Sequence, residues 1–178
     1  MKRFLRRFLP RSRSPAIFFF VATCYILAWE QVAPTVVRLL VFRVGPLACA
    51  AEAEAVREIL PRLPTIRIPG APPLVAGLVN VRGSLITVVE GWRALALPDP
   101  GTTDGGTTVL LEVGAARRPL GFMVDEVLDL LTVPSEQLER RETLPGLDAK
   151  LVRAVGRRGG QVFVVLDTEA LLAPVLSS

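Results

Sequence analysis

The sequence of 178 residues contains no histidine and only two cysteines, Cys24 and Cys49. Without histidine, the chain has no imidazole for acid–base catalysis or metal ligation and no histidine that could be phosphorylated. The cysteines lie far apart in unlike apolar segments, with the spacing of neither a metal site nor a disulfide framework. We therefore interpret Cys49 as a small buried residue, and we expect no metal and no cofactor.

The chain also lacks a recognisable catalytic motif. Asp125, Glu126 and Asp129 are the acidic group that would suggest a carboxylate site. Alternation along a strand would place Asp125 and Glu126 on opposite faces, so these carboxylates would not converge. No nucleophile and no glycine-rich phosphate loop accompanies them. The sequence therefore predicts a protein that is not an enzyme.

The net positive charge of the chain is confined to its N-terminus. The net charge of the chain is +4, and six basic residues lie before residue 14: Lys2, Arg3, Arg6, Arg7, Arg11 and Arg13. The remainder of the chain therefore carries 4 − 6 = −2. A body with this balance has no electrostatic basis for binding nucleic acid, so no nucleic-acid partner is expected.

Residues 1–38 form a basic and apolar N-terminal extension. The apolar run at residues 15–29 would span about 22 Å as a helix, whereas a bilayer core measures about 30 Å. Three interpretations stay open: a membrane anchor, an export signal, or sequence upstream of the true start of translation. A spanning helix after six basic residues would place the body outside the cytoplasm. We favour an extension that is disordered or not native, with an interfacial helix or inner-membrane anchor as the alternative.

The body is built from short apolar runs rich in Val, Leu and Ile, separated by Gly and Pro. Such runs predict many short strands and hence small barrels or a sandwich. Residues 53–60 are ambiguous between helix and strand, and 68–73 form an extended connector. Residues 98–106 form the clearest linker, and a short tail follows residue 173. The predicted strands lie at 39–44, 47–51, 85–89, 107–113, 120–124, 127–131, 152–155 and 162–166. Short helices are predicted at 92–97 and at 168–172, where Asp167 is the N-cap.

An internal echo predicts that one structural unit occurs twice. Its pieces recur in the same order along the chain. They pair VFRVG at 41–45 with LLEVG at 110–114, VREIL at 56–60 with VDEVL at 124–128, and Arg82-Gly83 with Arg158-Gly159. In the last pair, each Arg-Gly is followed by an apolar strand. The first of these strands ends at Glu90 and the second at Asp167. Two similar barrels with a groove between them would account for this pattern.

These elements resemble CheW-like domains over residues 39–173. The most specific stretch is IPGAPPLVAGLVNVRGSLITVV at 68–89, with its Pro-Gly-x-Pro connector and the motif Asn80-Val81-Arg82-Gly83. VREIL resembles a first-barrel strand of the family, and FMVDEV at 122–127 a second-barrel strand. VVLDTEALL at 164–172 resembles the closing strand and helix.

The resemblance implies a mainly β fold: two tandem SH3-like five-stranded β-barrels, packed side by side, with short helices. It implies a cytoplasmic adaptor that couples chemoreceptors to a CheA-like histidine kinase. In the family, the first barrel docks the regulatory domain of the kinase, and the groove between barrels receives the tip of the receptor coiled coil. Carried over, the kinase-binding residues are Val56, Glu58 and Ile59, and the receptor-binding residues are Gly77, Asn80, Val81, Arg82 and Gly83. The alternative is a membrane-anchored or exported β-barrel module that binds other proteins.

The chain departs from the family pattern P-[VI]-[VI]-D-L-R at residues 87–92. Thr87 replaces proline, Glu90 replaces aspartate and Gly91 replaces an apolar residue. Because glutamate caps a helix less well than aspartate and glycine weakens its start, the following helix is expected to be looser.

Overall fold

The computed structural model describes residues 35–99, 101, 105–139 and 146–176. The predictions for the basic segment and for the apolar run at 15–29 lie outside these residues. Within them, no helix is both long and apolar enough to cross a membrane.

Short strands make up most of the described residues, and each ends near a glycine, a proline or a short turn. The strands are β1 (Val36–Val44), β2 (Leu47–Glu52), β3 (Val56–Pro61), β4 (Val75–Val81), β5 (Ser84–Glu90), β6 (Thr107–Val113), β7 (Arg118–Val124), β8 (Glu126–Pro134), β9 (Val152–Arg158) and β10 (Gln161–Leu166). The α-helices are α1 (Gly91–Ala94) and α2 (Thr168–Leu176).

The strands form two five-stranded sheets, each curled into a small barrel. The terminal barrel has the strand order β8-β1-β2-β10-β9, and the central barrel has the order β3-β6-β7-β5-β4. In the central barrel, a bridge between Ile66 and Leu78 links the segment after β3 to β4. In the terminal barrel, a bridge between Glu139 and Val155 links the segment after β8 to β9. The mainly β fold of two SH3-like barrels is therefore confirmed.

The chain crosses between the barrels twice, after β2 and after β7. Consequently VREIL, which forms β3, lies in the same barrel as residues 122–124 of FMVDEV, while Val127 lies in β8 of the other barrel. The assignment of these two motifs to different barrels is wrong, because FMVDEV spans the crossover. The segment 98–106 leads from α1 to β6, and so it connects elements of the central barrel.

The second crossover is held to the terminal barrel by Asp125. Its backbone N–H donates to the Arg43 carbonyl at 2.9 Å, and its Oδ2 accepts a hydrogen bond from the Gly45 N–H at 2.7 Å. The turn between β1 and β2 and the junction between β7 and β8 are thereby tied together.

Strand order confirms the internal repeat. A shift of five strands converts one barrel into the other, with β1 to β5 becoming β6 to β10. Each barrel also has a bulge at the equivalent strand. Arg57 of β3 and Leu128 of β8 are the bulge residues, and neither has a partner in the register of its strand pair. Val56 pairs with Leu111 and Val127 pairs with Phe42, at equivalent positions of β6 and β1, so Val56 and Val127 are equivalent. The sequence echo had aligned Val56 with Val124, and it is therefore displaced by three residues. The equivalence of Glu90 with Asp167 holds, since each follows its hairpin turn by the same number of residues.

Each inner strand buries both faces, which explains the near-continuous apolar runs. In β1, Leu39 and Val41 face the interior of the terminal barrel, whereas Leu40 and Phe42 face a core shared by both barrels. Val79, Ile86, Val88, Leu110 and Met123 fill the interior of the central barrel.

The sequence did not predict β4, because Gly77 and the preceding prolines interrupt its apolar pattern. The ambiguous segment resolves into a 3-10 turn at Ala53–Ala55 followed by β3. The N-cap of α2 is confirmed, since Asp167 Oδ1 accepts from the Ala170 N–H at 3.0 Å. This helix extends to Leu176, beyond its predicted end at residue 172.

Candidate protein-docking site

One ion pair joins the two predicted sets of site residues. Arg82, from the turn between β4 and β5, donates through Nη2 to Glu58 Oε1 of β3 at 2.5 Å. β3 and β4 are the opposite edges of the central sheet, so this contact closes the barrel across its edges. The side chain of Arg82 is 79% exposed and that of Glu58 only 24% exposed. The guanidinium therefore lies at the surface while its partner anchors it.

The backbone of Arg82 adopts an unfavourable conformation. Its φ is +52°, in the left-handed region that side chains other than glycine avoid, and Gly83 follows with φ +87°. The equivalent turn of the terminal barrel holds Gly159 and Gly160, with φ of +55° and +83°. An arginine thus occupies a position where the same turn elsewhere in the chain has glycine.

The other predicted residues divide into exposed and structural positions. Asn80 is exposed, and its Oδ1 accepts a hydrogen bond from the Gly83 N–H at 2.8 Å. Ile59 leaves 45% of its surface exposed. In contrast, Val56 packs against the shared core and Val81 against the interior of the central barrel.

Gly77 allows a close approach of two backbone segments. Its φ is +151°, and a Cβ at this position would lie 2.4 Å from the Ile66 carbonyl oxygen. Leu78 and Ile66 exchange two backbone hydrogen bonds of 2.8 Å beside it. Gly77 therefore positions the connector at 62–74 against β4 and offers no side chain for contact.

The departures at Glu90 and Gly91 also have structural reasons. A Cβ on Gly91 would lie 2.4 Å from the Met123 carbonyl oxygen, so α1 packs closely on β7. Glu90 makes no side-chain cap, and its Oε2 pairs with Arg93 Nε at 3.0 Å. Arg93 also lies 4.8 Å from the centroid of the Trp92 ring. α1 is a single turn.

The acidic residues considered for catalysis bind separate partners. Asp125 accepts from the Gly45 N–H, Glu126 pairs with Arg43 at 3.1 Å, and Asp129 pairs with Arg158. Each carboxylate therefore has a partner of its own, and the three do not form one site.

The sequence did not predict the apolar groove beside the turn between β9 and β10 of the terminal barrel. A groove of about 360 Å³ opens there between β8 and the turn joining β9 to β10. Leu128 and Val162, each 47% exposed, lie on its lining together with Asp129 and Arg158. The internal echo paired Arg158-Gly159 with Arg82-Gly83, but strand register aligns Arg82 with Gly159, so this part of the echo is displaced by one residue.

The family model for the CheW-like domain matches residues 38–175. The chain belongs to the CheW-like family. Its CheW-like domain is similar to the chemotaxis protein CheW of Klebsiella aerogenes, with 25% identity over 154 residues, covering 86% of this chain and 90% of the relative. The chemotaxis protein CheW of Bacillus subtilis is 24% identical over 136 residues, covering 76% of this chain and 86% of the relative.

The CheW-like fold is also found in a solved structure. The crystal structure of the scaffolding protein TtCheW from Thermoanaerobacter tengcongensis superposes with a TM-score of 0.71 at 17% identity. The match covers 78% of this chain and 93% of that chain. The arrangement of two five-stranded barrels is therefore shared with a CheW scaffold.

Proposed function

We propose that this protein is a non-catalytic cytoplasmic adaptor that couples chemoreceptors to a CheA-like histidine kinase. Its relatives are named chemotaxis protein CheW, and TtCheW is described as a scaffolding protein. The single observation that assigns the proposed contact to a site is the backbone conformation of Arg82. This conformation favours glycine and the Arg82 side chain is 79% exposed, which together fit an arginine that serves a contact with a partner.

The proposed contact surface is the central-barrel edge, formed by Glu58, Ile59, Asn80 and Arg82. It combines residues carried over for kinase binding with residues carried over for receptor binding. Val56, Gly77, Val81 and Gly83 support this edge from within the barrel and its turn.

The chemistry of the edge suits exchange between partners. An exposed ion pair contributes at most about 1 kcal/mol, so little free energy is lost when Arg82 leaves Glu58 for a partner carboxylate. The planar guanidinium offers several donors in a fixed geometry, which favours bidentate pairing with such a carboxylate. Ile59, the next residue of β3, is 45% exposed and adds apolar surface to the same edge. Contacts of this size are weak singly and gain strength when many adaptors act together.

Co-purification with both partners tests the proposal. The full chain and a variant beginning at Thr35 are each mixed with the cognate CheA-like kinase, with a fragment carrying the receptor signalling tip, or with both. We expect both forms to retain each partner and to bridge the two. If neither form retains either partner, the adaptor function is wrong. Recovery of the full chain from the periplasm would instead support an exported binding module.

A further inference from the structure

Glu90 and Asp167 occupy equivalent positions directly before the two α-helices, but their side chains make different contacts. The Asp167 carboxylate caps α2 by accepting a hydrogen bond from the Ala170 N–H. The Glu90 carboxylate makes no such cap. It forms an ion pair of 3.0 Å with Arg93, whose position in α1 corresponds to that of Ala170 in α2. A contact between two side chains thus replaces a cap on the backbone.

Arg93 extends this contact to the start of β4. Its Nη1 donates to the Pro73 carbonyl at 2.9 Å, and the Glu90 N–H donates to the Leu74 carbonyl at 3.0 Å. Pro73 and Leu74 directly precede β4, whereas Glu90 ends β5. Glu90 and Arg93 therefore form a staple across the open end of the β4–β5 hairpin.

β4 has little else to fix its register. It is an edge strand of the central sheet, and within that sheet it pairs with β5 alone. The pairing is interrupted by a bulge between Val75 and Gly77, and Gly77 contributes no side chain to the apolar pattern. Because a slip of one residue exchanges the two faces of a strand, it would turn Asn80 toward the opposite face.

Helix formation alone does not explain Arg93. Asp167 and Ala170 begin a helix of nine residues at the equivalent place without a staple. The edge strand beside them, β9, is preceded by a 3-10 turn at Ala149–Leu151, which the Asp148 side chain caps. β4 is preceded by two prolines, which have no N–H to donate to such a cap. The arginine therefore supplies an attachment that the terminal barrel obtains from a capped turn.

We propose that Arg93 is a positioning residue for receptor binding, which fixes the register of β4 against β5. The inference rests on the proposed function, in which Asn80 and Arg82, at the closed end of the same hairpin, contact the receptor. β5 is itself held in place because it also pairs with β7, and the staple fastens β4 to it. Arg93 lies at the opposite end of the hairpin from this contact and acts through the strand, without touching the receptor.

The residues of the terminal barrel, introduced into the full chain, separate positioning from stability. Arg93→Ala is compared with the double variant Glu90→Asp/Arg93→Ala, in which both positions carry the residues found at 167 and 170. We expect Arg93→Ala to unfold at a lower urea concentration. It should retain the receptor tip at least about fivefold less well, because only molecules in the native register bind. The double variant should regain the urea midpoint, since aspartate restores a cap, and yet retain the receptor as poorly as Arg93→Ala.

Receptor retention is measured at a temperature at which every variant is folded, so that loss of binding does not reflect unfolding. Arg153→Ala is the control, because Arg153 forms an ion pair with Glu52 on the terminal barrel. Its retention of the receptor should stay within about twofold of wild type, since an exposed pair contributes little to the fold.

A crosslink tests the register directly. Leu78 and Thr87 are opposite each other on β4 and β5, and the backbone of Leu78 bonds to Ile66 on the other side of the strand. They therefore form a non-hydrogen-bonded pair, whose Cα separation of about 4.5 Å suits a disulfide. Leu78→Cys and Thr87→Cys, added to Arg93→Ala in a Cys24→Ser background, should restore receptor retention when oxidised and not when reduced.

Two results would overturn the inference. One is an oxidised crosslink that leaves receptor retention low, and the other is recovery of retention together with the urea midpoint in Glu90→Asp/Arg93→Ala. Equal retention by wild type and Arg93→Ala would also contradict it while leaving the adaptor function intact. Failure of the proposed function itself is distinguishable, because wild type would then retain neither partner.

Discussion

The rings of Phe42 and Phe122 meet edge to face in the core between the barrels, with centroids 5.9 Å apart and planes inclined at 61°. Phe42 belongs to β1 of the terminal barrel and Phe122 to β7 of the central barrel. Both side chains are almost completely buried, at 1% and 0% exposure. This contact joins the interleaved halves of the chain into one core, and adjacent aromatic rings add stabilisation beyond their buried area.

Phe122→Ala should destabilise the whole body. Removing a fully buried aromatic ring leaves a cavity, so the free energy of unfolding should fall by about 3–5 kcal/mol. Because the core is shared, both barrels should still unfold in one transition at a lower urea concentration. Circular dichroism and tryptophan fluorescence check this, with the exposed Val162→Ala as control. Separate transitions for the two signals would show that the barrels fold independently.

Gly77→Ala should detach the connector at 62–74 from β4. A Cβ there would collide with the Ile66 carbonyl, so we expect a loss of more than about 1 kcal/mol and faster hydrogen exchange at Ile66 and Leu78. Gly70→Ala is a matched control, because Gly70 also has a positive φ of +78° but no atom within 4 Å of an added Cβ. Equal losses in the two variants would mean that backbone strain, and not the collision, is responsible.

Arg82→Gly should separate folding from function. Glycine relieves the left-handed backbone, which offsets its greater freedom in the unfolded chain, so the free energy of unfolding should change by less than about 1 kcal/mol. Retention of the receptor tip should nevertheless fall, since the guanidinium is absent. Arg117→Gly is the control: Arg117 has a φ of +47° and an exposed pair with Glu112, away from the central-barrel edge. A similar loss in both variants would contradict a specific role for Arg82.

Cys49 should be unreactive in the folded protein. Burial raises the pKa of its thiol from 9.0 to about 12, so at pH 8 the thiolate fraction is roughly a thousandfold smaller than in the unfolded chain. Because the folded pKa is raised, the stabilisation from keeping the thiol neutral is complete below about pH 9 and is lost as the pH rises toward about 12.

Iodoacetamide labelling of a Cys24→Ser variant measures this reactivity at a single thiol. At pH 8 we expect labelling in urea and almost none in buffer. Urea unfolding at pH 8 and at pH 10 measures the linked change in stability, which should be lower at the higher pH. Rapid labelling in buffer would show that Cys49 is accessible.

Much of the fold could be predicted because strand patterns are local. The apolar runs and the glycines and prolines between them predicted most strands, and the Asp167 cap depends only on neighbours in the chain. β4 was missed because Gly77 interrupts its pattern, and that glycine is explained only by the passing Ile66 carbonyl. The alignment of VREIL with its repeat was displaced because VDEVL at 124–128 resembles it in sequence but spans the junction of β7 and β8, whereas strand pairing aligns VREIL with residues 127–131.

The geometry of the candidate site could be predicted only in part, for the same physical reason. The motif at 80–83 revealed Arg82, and the turn chemistry of Asn80 and Gly83 is local. That Arg82 reaches Glu58, 24 residues earlier, follows from barrel closure. The sequence alone determined a β-rich, histidine-free body with CheW-like motifs and an internal repeat, because composition and residue spacing express these directly. Only the tertiary structure decided which strands share a barrel, which carboxylates are paired and where Leu128 emerges, because these depend on contacts between residues far apart in the chain.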